Sequence, residues 1–222
     1  MVLDALNSIY SQTLAPNRVA IVVDDRDEIP HPWWRAIATA FRDVELLRNP
    51  GDGMASATTV GIRHMTSPYV AFLDTDDLWM PEKQERQVSA LETDDRADAV
   101  TCSARNVLTA GRDHTHQPPA FPCATFTATT FRATTFRDFG VPDSTAPHHT
   151  WLYRWWSNAH HQGIQTSRID YLGLERRIHG DNSWCTDNAV AHQTLLKELR
   201  TIIAAKGQVP VRPDSKTPTT SP

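Results

Sequence analysis

At 222 residues and 40% hydrophobic content, the chain can bury one substantial core with room for a small subdomain. A formal net charge of −4 excludes a nucleic-acid partner held by bulk electrostatics, so any bound phosphate must be met by a few placed cations, amides or a metal ion. No apolar run reaches membrane-spanning length and the N-terminus has no signal-peptide layout, so membrane contact would be peripheral; three scattered cysteines (Cys102, Cys123, Cys185), without metal or redox spacing, favour a reducing cytosol.

Leu3, Leu6, Ile9 and Tyr10 recur at helical spacing, and Pro16 closes that segment. Val19 to Val23 reads as a buried strand ending in Asp24-Asp25, and Trp34, Ile37, Ala38 and Phe41 mark a second helix. A short strand over Val44 to Leu47 leads into the turn Asn49-Pro50-Gly51-Asp52-Gly53. Met54, Ala57, Gly61 and Met65 then suggest a third helix. This alternation predicts parallel βα units: an α/β fold with a mostly parallel sheet flanked by helices.

The stretch Tyr69 to Pro81 carries the strongest chemical signal. The apolar run Tyr69 to Leu73 has the composition of a strand buried on both faces, and it stops in Asp74, Asp76 and Asp77. Ligands of open α/β sheets bind beyond the carboxyl ends of strands, and clustered carboxylates repel unless a hard cation joins them. The competing reading is a solvated turn in which one carboxylate caps a helix. Pro81 suits the first helical position, opening a helix that runs to Leu91.

Ala99 to Cys102 is a further strand, residues 111 to 124 a loop, and the Thr- and Phe-rich Thr125 to Phe131 another strand. Phe136 and Phe139 precede Gly140 in a short helix, and Trp151, Leu152, Trp155 and Ala159 define an amphipathic one whose aromatics fit a core better than a sugar platform. Ile164 to Leu174 is extended and runs on into Glu175-Arg176-Arg177-Ile178-His179-Gly180-Asp181-Asn182. Residues 186–205 form a last helix with Leu195, Leu199, Ile202 and Ile203 on one face, and residues 206–222 have the composition of a disordered tail. The pairs His114/His116 and His160/His161 lack further ligands at suitable spacing and read as surface.

Several segments together resemble the family 2 glycosyltransferases of the GT-A fold: Leu6 to Leu14 with its Gln12-Thr13, Val19 to Asp25, Phe72 to Trp79 with Pro81-Glu82-Lys83, and Arg176 to Asn182. The resemblance spans roughly residues 3 to 185 and implies one domain over 1–185, with a donor and metal half at 1–110 and an acceptor half at 111–185. It implies transfer of a sugar, with inversion, from a nucleotide-diphosphate donor (a UDP-sugar first) to a glycan or other hydroxyl acceptor, with Mg²⁺ or Mn²⁺. By the same resemblance Asp74 and Asp76 are the family's Asp-x-Asp pair. Asp74 then serves the donor ribose, Asp76 with Asp77 the metal, Asp24 or Asp25 the nucleotide base, and Arg176, Arg177 and His179 the diphosphate.

The sequence departs from the family in three places. The family's opening strand, ending in a Pro-Thr-Tyr-Asn-like segment, does not precede the first helix; its absence implies unpaired backbone in the neighbouring strands, and a start lying upstream is the favoured explanation. Ala57-Thr58-Thr59-Val60 stands where the family often has Ala-Arg-Asn. Where a carboxylate base is usual, the chain reads Pro147-His148-His149-Thr150, making His148 or His149 the candidate catalytic base, with Asp143 in reserve. These departures also motivate the alternative of a weakly active or inactive sugar- or nucleotide-binding module. A third class, a metal-dependent nucleotidyltransferase or phosphate hydrolase, gathers aspartates in the same way.

Overall fold

The computed structural model describes residues 1–24, 32–41, 43–108, 118–146 and 150–179. In chain order the elements are α1 (Val2–Tyr10), β1 (Val19–Asp24), α2 (Pro32–Ala40), β2 (Val44–Asn49), α3 (Gly53–His64), β3 (Tyr69–Ala71), β4 (Leu78–Trp79), α4 (Lys83–Thr93) and β5 (Ala99–Leu108). Then follow β6 (Phe121–Cys123), a 3₁₀ turn at Phe126–Ala128, β7 (Thr129–Arg132), α5 (Ala133–Phe139), α6 (Trp151–His161) and β8 (Thr166–Ile178). The expected last helix and tail lie outside the described residues. No helix among the described residues is long and apolar enough to cross a membrane.

The α/β class holds, with parallel and antiparallel strand pairs together in the sheets. β1 and β2 pair in parallel as a two-stranded sheet. The second sheet has the order β3-β7-β5-β8-β4, with β6 also on β5. Within it only β5–β8 is parallel, while β3–β7, β5–β7, β5–β6 and β4–β8 are antiparallel. Helix–strand alternation describes how consecutive strands connect, whereas β3 finds its partner in β7, a strand from the other half of the chain. No strand among the described residues pairs with the second edge of β1 or of β3.

Packing follows side-chain chemistry. On one face Phe126, Phe131, Phe136 and Trp155 meet, with Phe131 fully buried and ring centroids 4.9 Å (Phe126–Phe131) and 5.6 Å (Phe131–Trp155) apart. Trp155 Nε1 donates to the Gly140 carbonyl at 2.8 Å, so this aromatic belongs to the core, as its spacing suggests. Gly140 has φ +81°, the left-handed conformation that ends α5. On the opposite face Leu91 and Ala97 cover Val100.

Three local differences have side-chain causes. Thr125 to Phe131 is not one strand: Thr129 Oγ1 donates to the Thr125 carbonyl at 2.7 Å, and this hydroxyl-backed turn displaces the first half of the ladder. Helix α4 starts at Lys83 rather than Pro81, and the Pro81 carbonyl accepts the Thr13 N–H at 2.9 Å. The buried face of α3 is Ala55, Ser56, Thr59 and Ile62, while Met54 is exposed, because small residues admit closer approach to the sheet.

Gln87 links α4 to two strands. Fully buried, it donates through Nε2 to the carbonyls of Val100 (2.7 Å) and Ala128 (2.8 Å), and its Oε1 accepts from Thr130 Oγ1 (2.8 Å). Gln87→Leu keeps the volume and removes all three bonds, so it is expected to lower the unfolding free energy by about 2 kcal/mol. A chemical-denaturation midpoint that does not move would refute this.

Candidate active site

The apolar run from Tyr69 ends its ladder at Ala71, and the chain then turns sharply through the acids, the Asp77 N–H donating to the Asp74 carbonyl at 3.1 Å. Leu78 and Trp79 leave the turn as β4 and pair antiparallel with Glu175 and Leu174 of β8. That two-residue pairing brings residues 176–179 against a turn about a hundred positions earlier in the chain. The Arg177 N–H donates to Asp77 Oδ1 at 3.0 Å, and His179 Nε2 lies 3.2 Å from Asp76 Oδ2.

One ligand oxygen from each of Asp74, Asp76 and Asp77 lies within 4.8 Å of the others. Burial first, and then the charge of Asp76, pushes the Asp74 carboxyl up to about 6. Asp77 is pushed up to about 7 by burial, then by Asp74 and Asp76; Arg176 pulls both back down. Three carboxylates of which two resist ionisation, at mutual distances suited to a shared cation, are a donor set for a hard oxygen-seeking ion. The residues therefore fit a divalent cation.

The turn opens on a cleft of about 1640 Å³ bounded by β1, β3, α1, α3, residues 125–127 and the start of α6. Asp74, Asp76, Asp77, Arg176, Arg177 and His179 all line it. Residues 19–23 and 69–73 line it too, so part of this volume is the space between β1 and β3.

Arg177 differs from its sequence expectation. Its guanidinium donates to the Asp76 carbonyl, to Asp4 Oδ2 at 2.8 Å and to the Met1 carbonyl at 3.2 Å, strapping the acid turn to the start of α1. The same hydrogen bond holds the Asp4 carboxyl below its ordinary value. Arg176, whose charge reaches Asp74 and Asp77, is the better placed cation for an anionic ligand.

Asp24 is the last residue of β1, in register with Asn49. Asp25, His148 and His149 lie outside the described residues; Ala146 and Trp151, which flank the histidine pair, line the cleft. Asp143 Oδ1 accepts from the N–H (2.9 Å) and hydroxyl (2.7 Å) of Thr145, which hold its carboxyl below the ordinary value. Thr58 does line the cleft, so the family's frequent arginine is replaced there by a hydroxyl.

Gln12 is a supporting residue whose role composition does not signal. Buried at the end of α1, it donates to the Met80 carbonyl (2.9 Å) and accepts the Gln84 N–H (3.1 Å), fixing the segment that follows the acids.

Residues 1–171 match the family model described as Glycosyl transferase family 2. The succinoglycan biosynthesis protein ExoW of Rhizobium meliloti (strain 1021) is 34% identical over 84 residues, covering 35% of this chain and 25% of that protein. The UDP-Glc:alpha-D-GlcNAc-diphosphoundecaprenol beta-1,3-glucosyltransferase WfgD of Escherichia coli is 30% identical over 88 residues, covering 39% and 34%. The matched stretch thus spans about a quarter to a third of the length of these relatives. Among solved structures, S. aureus TarS 1–349 in complex with UDP-GlcNAc superposes with a TM-score of 0.65 at 13% identity, covering 95% of this chain and 64% of that one. The mannosyltransferase PcManGT from Pyrobaculum calidifontis, in complex with GDP-Man and Mn²⁺, gives 0.65 at 17% identity, covering 94% and 61%.

Proposed function

The chain belongs to glycosyl transferase family 2 and has a GT-A-type fold, and from that premise we propose that it transfers a sugar, with inversion, from a nucleotide-diphosphate donor to an acceptor hydroxyl. The observation that carries the reading is the acid turn, set against Arg176 and His179 in the lining of one cleft. A UDP-sugar is the first donor to test, since TarS is solved with UDP-GlcNAc and WfgD is named for UDP-glucose. The acceptor is a glycan or another hydroxyl compound.

Asp76 and Asp77 would hold Mg²⁺ or Mn²⁺, which supplies positive charge to a departing diphosphate. Asp74 takes the donor ribose, and Asp24 or Asp25 accepts the ring N–H of the nucleotide base. Arg176 and His179 meet the diphosphate, with Arg177 holding the turn that presents the acids. His148 or His149 receives the acceptor hydroxyl's proton as its oxygen attacks the anomeric carbon from the face opposite the leaving group. Residues 1–110 form the donor half in this reading and 111–185 the acceptor half. A cytosolic setting rests on the cysteine usage.

The test is incubation with UDP-glucose or UDP-N-acetylglucosamine, Mn²⁺ and a panel of glycan acceptors. Release of UDP with a glycosylated product, abolished by EDTA, is expected; release of free phosphate or UMP would overturn the assignment in favour of a hydrolase. Thr58 in the cleft and the missing carboxylate base favour a second reading, a non-catalytic binding module. Retained metal-dependent UDP-sugar binding without turnover would select it.

A further inference from the structure

Cys102 on β5 and Cys123 on β6 stand directly opposite each other in the antiparallel ladder. They share one core cluster with Trp79, Ala104, Ala128 and Leu174. Pro122, opposite Ser103, has no N–H, so that pair cannot exchange both ladder bonds. Strict alternation then makes Cys102 and Cys123 a hydrogen-bonded pair with Cα atoms about 5.5 Å apart, inside a disulfide's Cα span, and the Cβ atoms, at the wide end of the cross-strand range, must close by about 1 Å for the bond to form. Two cysteines 21 positions apart in sequence are thereby made cross-strand neighbours, with Cys102 Sγ donating to the Ala128 carbonyl at 3.2 Å and Cys123 Sγ 3.3 Å from Thr125 Oγ1.

Lys83 reaches the same place from the first turn of α4. It is 0% exposed, its Nζ has no hydrogen-bond partner among the described residues, and it lies 4.4 Å from the centroid of the Trp79 ring. The ionisable groups that bear on it among the described residues are Cys102 and Cys123, with no carboxylate. Gly173 of β8 makes the meeting possible: a Cβ there would fall 2.5 Å from Cys102 Sγ and 3.1 Å from Lys83 Cγ. Burial pushes Lys83 down to about 7, leaving an amine able to accept a proton, and pushes the Cys102 thiol up.

We propose that Cys102 and Cys123 form a redox-active dithiol that closes to a cross-strand disulfide under hydroperoxide, with Lys83 as the base that receives the thiol proton. Cys123 is the more exposed of the two, at 7% against 0%, and reacts first. Its thiolate sulfur attacks one oxygen of hydrogen peroxide, the O–O bond breaks, and the hydroxide released takes up the thiol's proton as water. Cys102 then gives its proton to Lys83 and attacks the sulfenic sulfur. The S–S bond forms, the S–O bond breaks, and the departing hydroxide recovers the proton from Lys83 as a second water. In sum two thiols lose two electrons and two protons, and one peroxide becomes two waters.

The test uses the full chain carrying Cys185→Ala, so that the third thiol cannot intervene. The reduced protein is treated with hydrogen peroxide near neutral pH, denatured, blocked with N-ethylmaleimide and weighed. Loss of two hydrogens, no maleimide adduct, a Cys102–Cys123 cross-linked peptide and full reversal by dithiothreitol are expected. Persistence of two maleimide adducts, or sulfinic acids without a cross-link, would overturn the proposal. Lys83→Met should slow closure about tenfold near neutral pH, equivalent to one pKa unit at the thiol. If that variant does not fold, the wild-type closure rate carries the same information: it should bend near about pH 7, where Lys83 titrates, and a rate without that bend removes the base.

Discussion

Asp76→Ala is expected to weaken metal-dependent binding of a nucleotide-sugar by about a hundredfold or more, the loss of a few kcal/mol of charge–charge attraction at one ligand. It should do so without loosening the fold. The turn is closed by the Asp77 N–H on the Asp74 carbonyl, and Arg177 grips residue 76 through its backbone carbonyl, which alanine keeps. The carboxylate itself meets His179 and the cleft. Asp77→Ala is a poorer probe, because Asp77 Oδ1 also anchors the Arg177 N–H and its loss would mix ligand and scaffold. Removing Asp76 also removes a like charge from beside Asp74 and Asp77, so thermal stability in EDTA should stay level or rise. Calorimetric titration of UDP with and without Mn²⁺ reads the effect. Unchanged Mn²⁺-dependent affinity would show that the acids merely shape a turn.

The acid turn is legible in sequence because strand, turn and charges are consecutive, and local order suffices to place them. The strand β1, the helix α6 and the Gly140 stop are legible for the same reason. What surrounds the acids depends on pairings between distant segments. Leu78-Trp79 is too short to carry a period, yet its ladder with β8 is what delivers Arg176 and His179. Arg177 shows a different limit: a guanidinium suits a diphosphate and an aspartate equally, and only the fold reveals that Asp4 and two backbone carbonyls engage it. Lys83, two positions after a proline, is fully buried, which nothing in the local sequence signals. Cys102 and Cys123 have no redox spacing along the chain because their proximity is made by strand register. Alternation predicts the parallel pairs, but which non-consecutive strands meet depends on the fold, and β7 pairs with β3 in the opposite sense.

Without divalent cation, stability is expected to fall as pH rises toward neutrality, which is the reverse of the usual behaviour of carboxylates. Asp74 and Asp77 are pushed up to about 6 and about 7, above the ordinary 3.8. An acid that holds its proton more tightly when folded contributes stability that is full below the unfolded value and is lost as pH rises through the folded one. The window therefore runs from about pH 4 to about pH 7, and for the nearly buried Asp77 the loss is on the order of 4 kcal/mol. Carboxyls held below their ordinary values, such as Glu45 between Arg18 and His64, act with the opposite sign, but only at more acid pH. Above about 7 the buried Lys83, depressed by desolvation, makes stability climb again as its folded form sheds a proton the unfolded form keeps, so the EDTA profile should show a trough near neutrality. Saturating Mn²⁺ supplies the missing charge and should erase the descending limb. The isosteric Asp77→Asn should be more stable than the natural chain at neutral pH in EDTA and gain less from Mn²⁺. Melting temperatures followed across this range in EDTA and in Mn²⁺ decide the matter: a flat profile in EDTA, or one that Mn²⁺ leaves unchanged, would mean that the three carboxylates neither repel one another in the folded state nor share a cation.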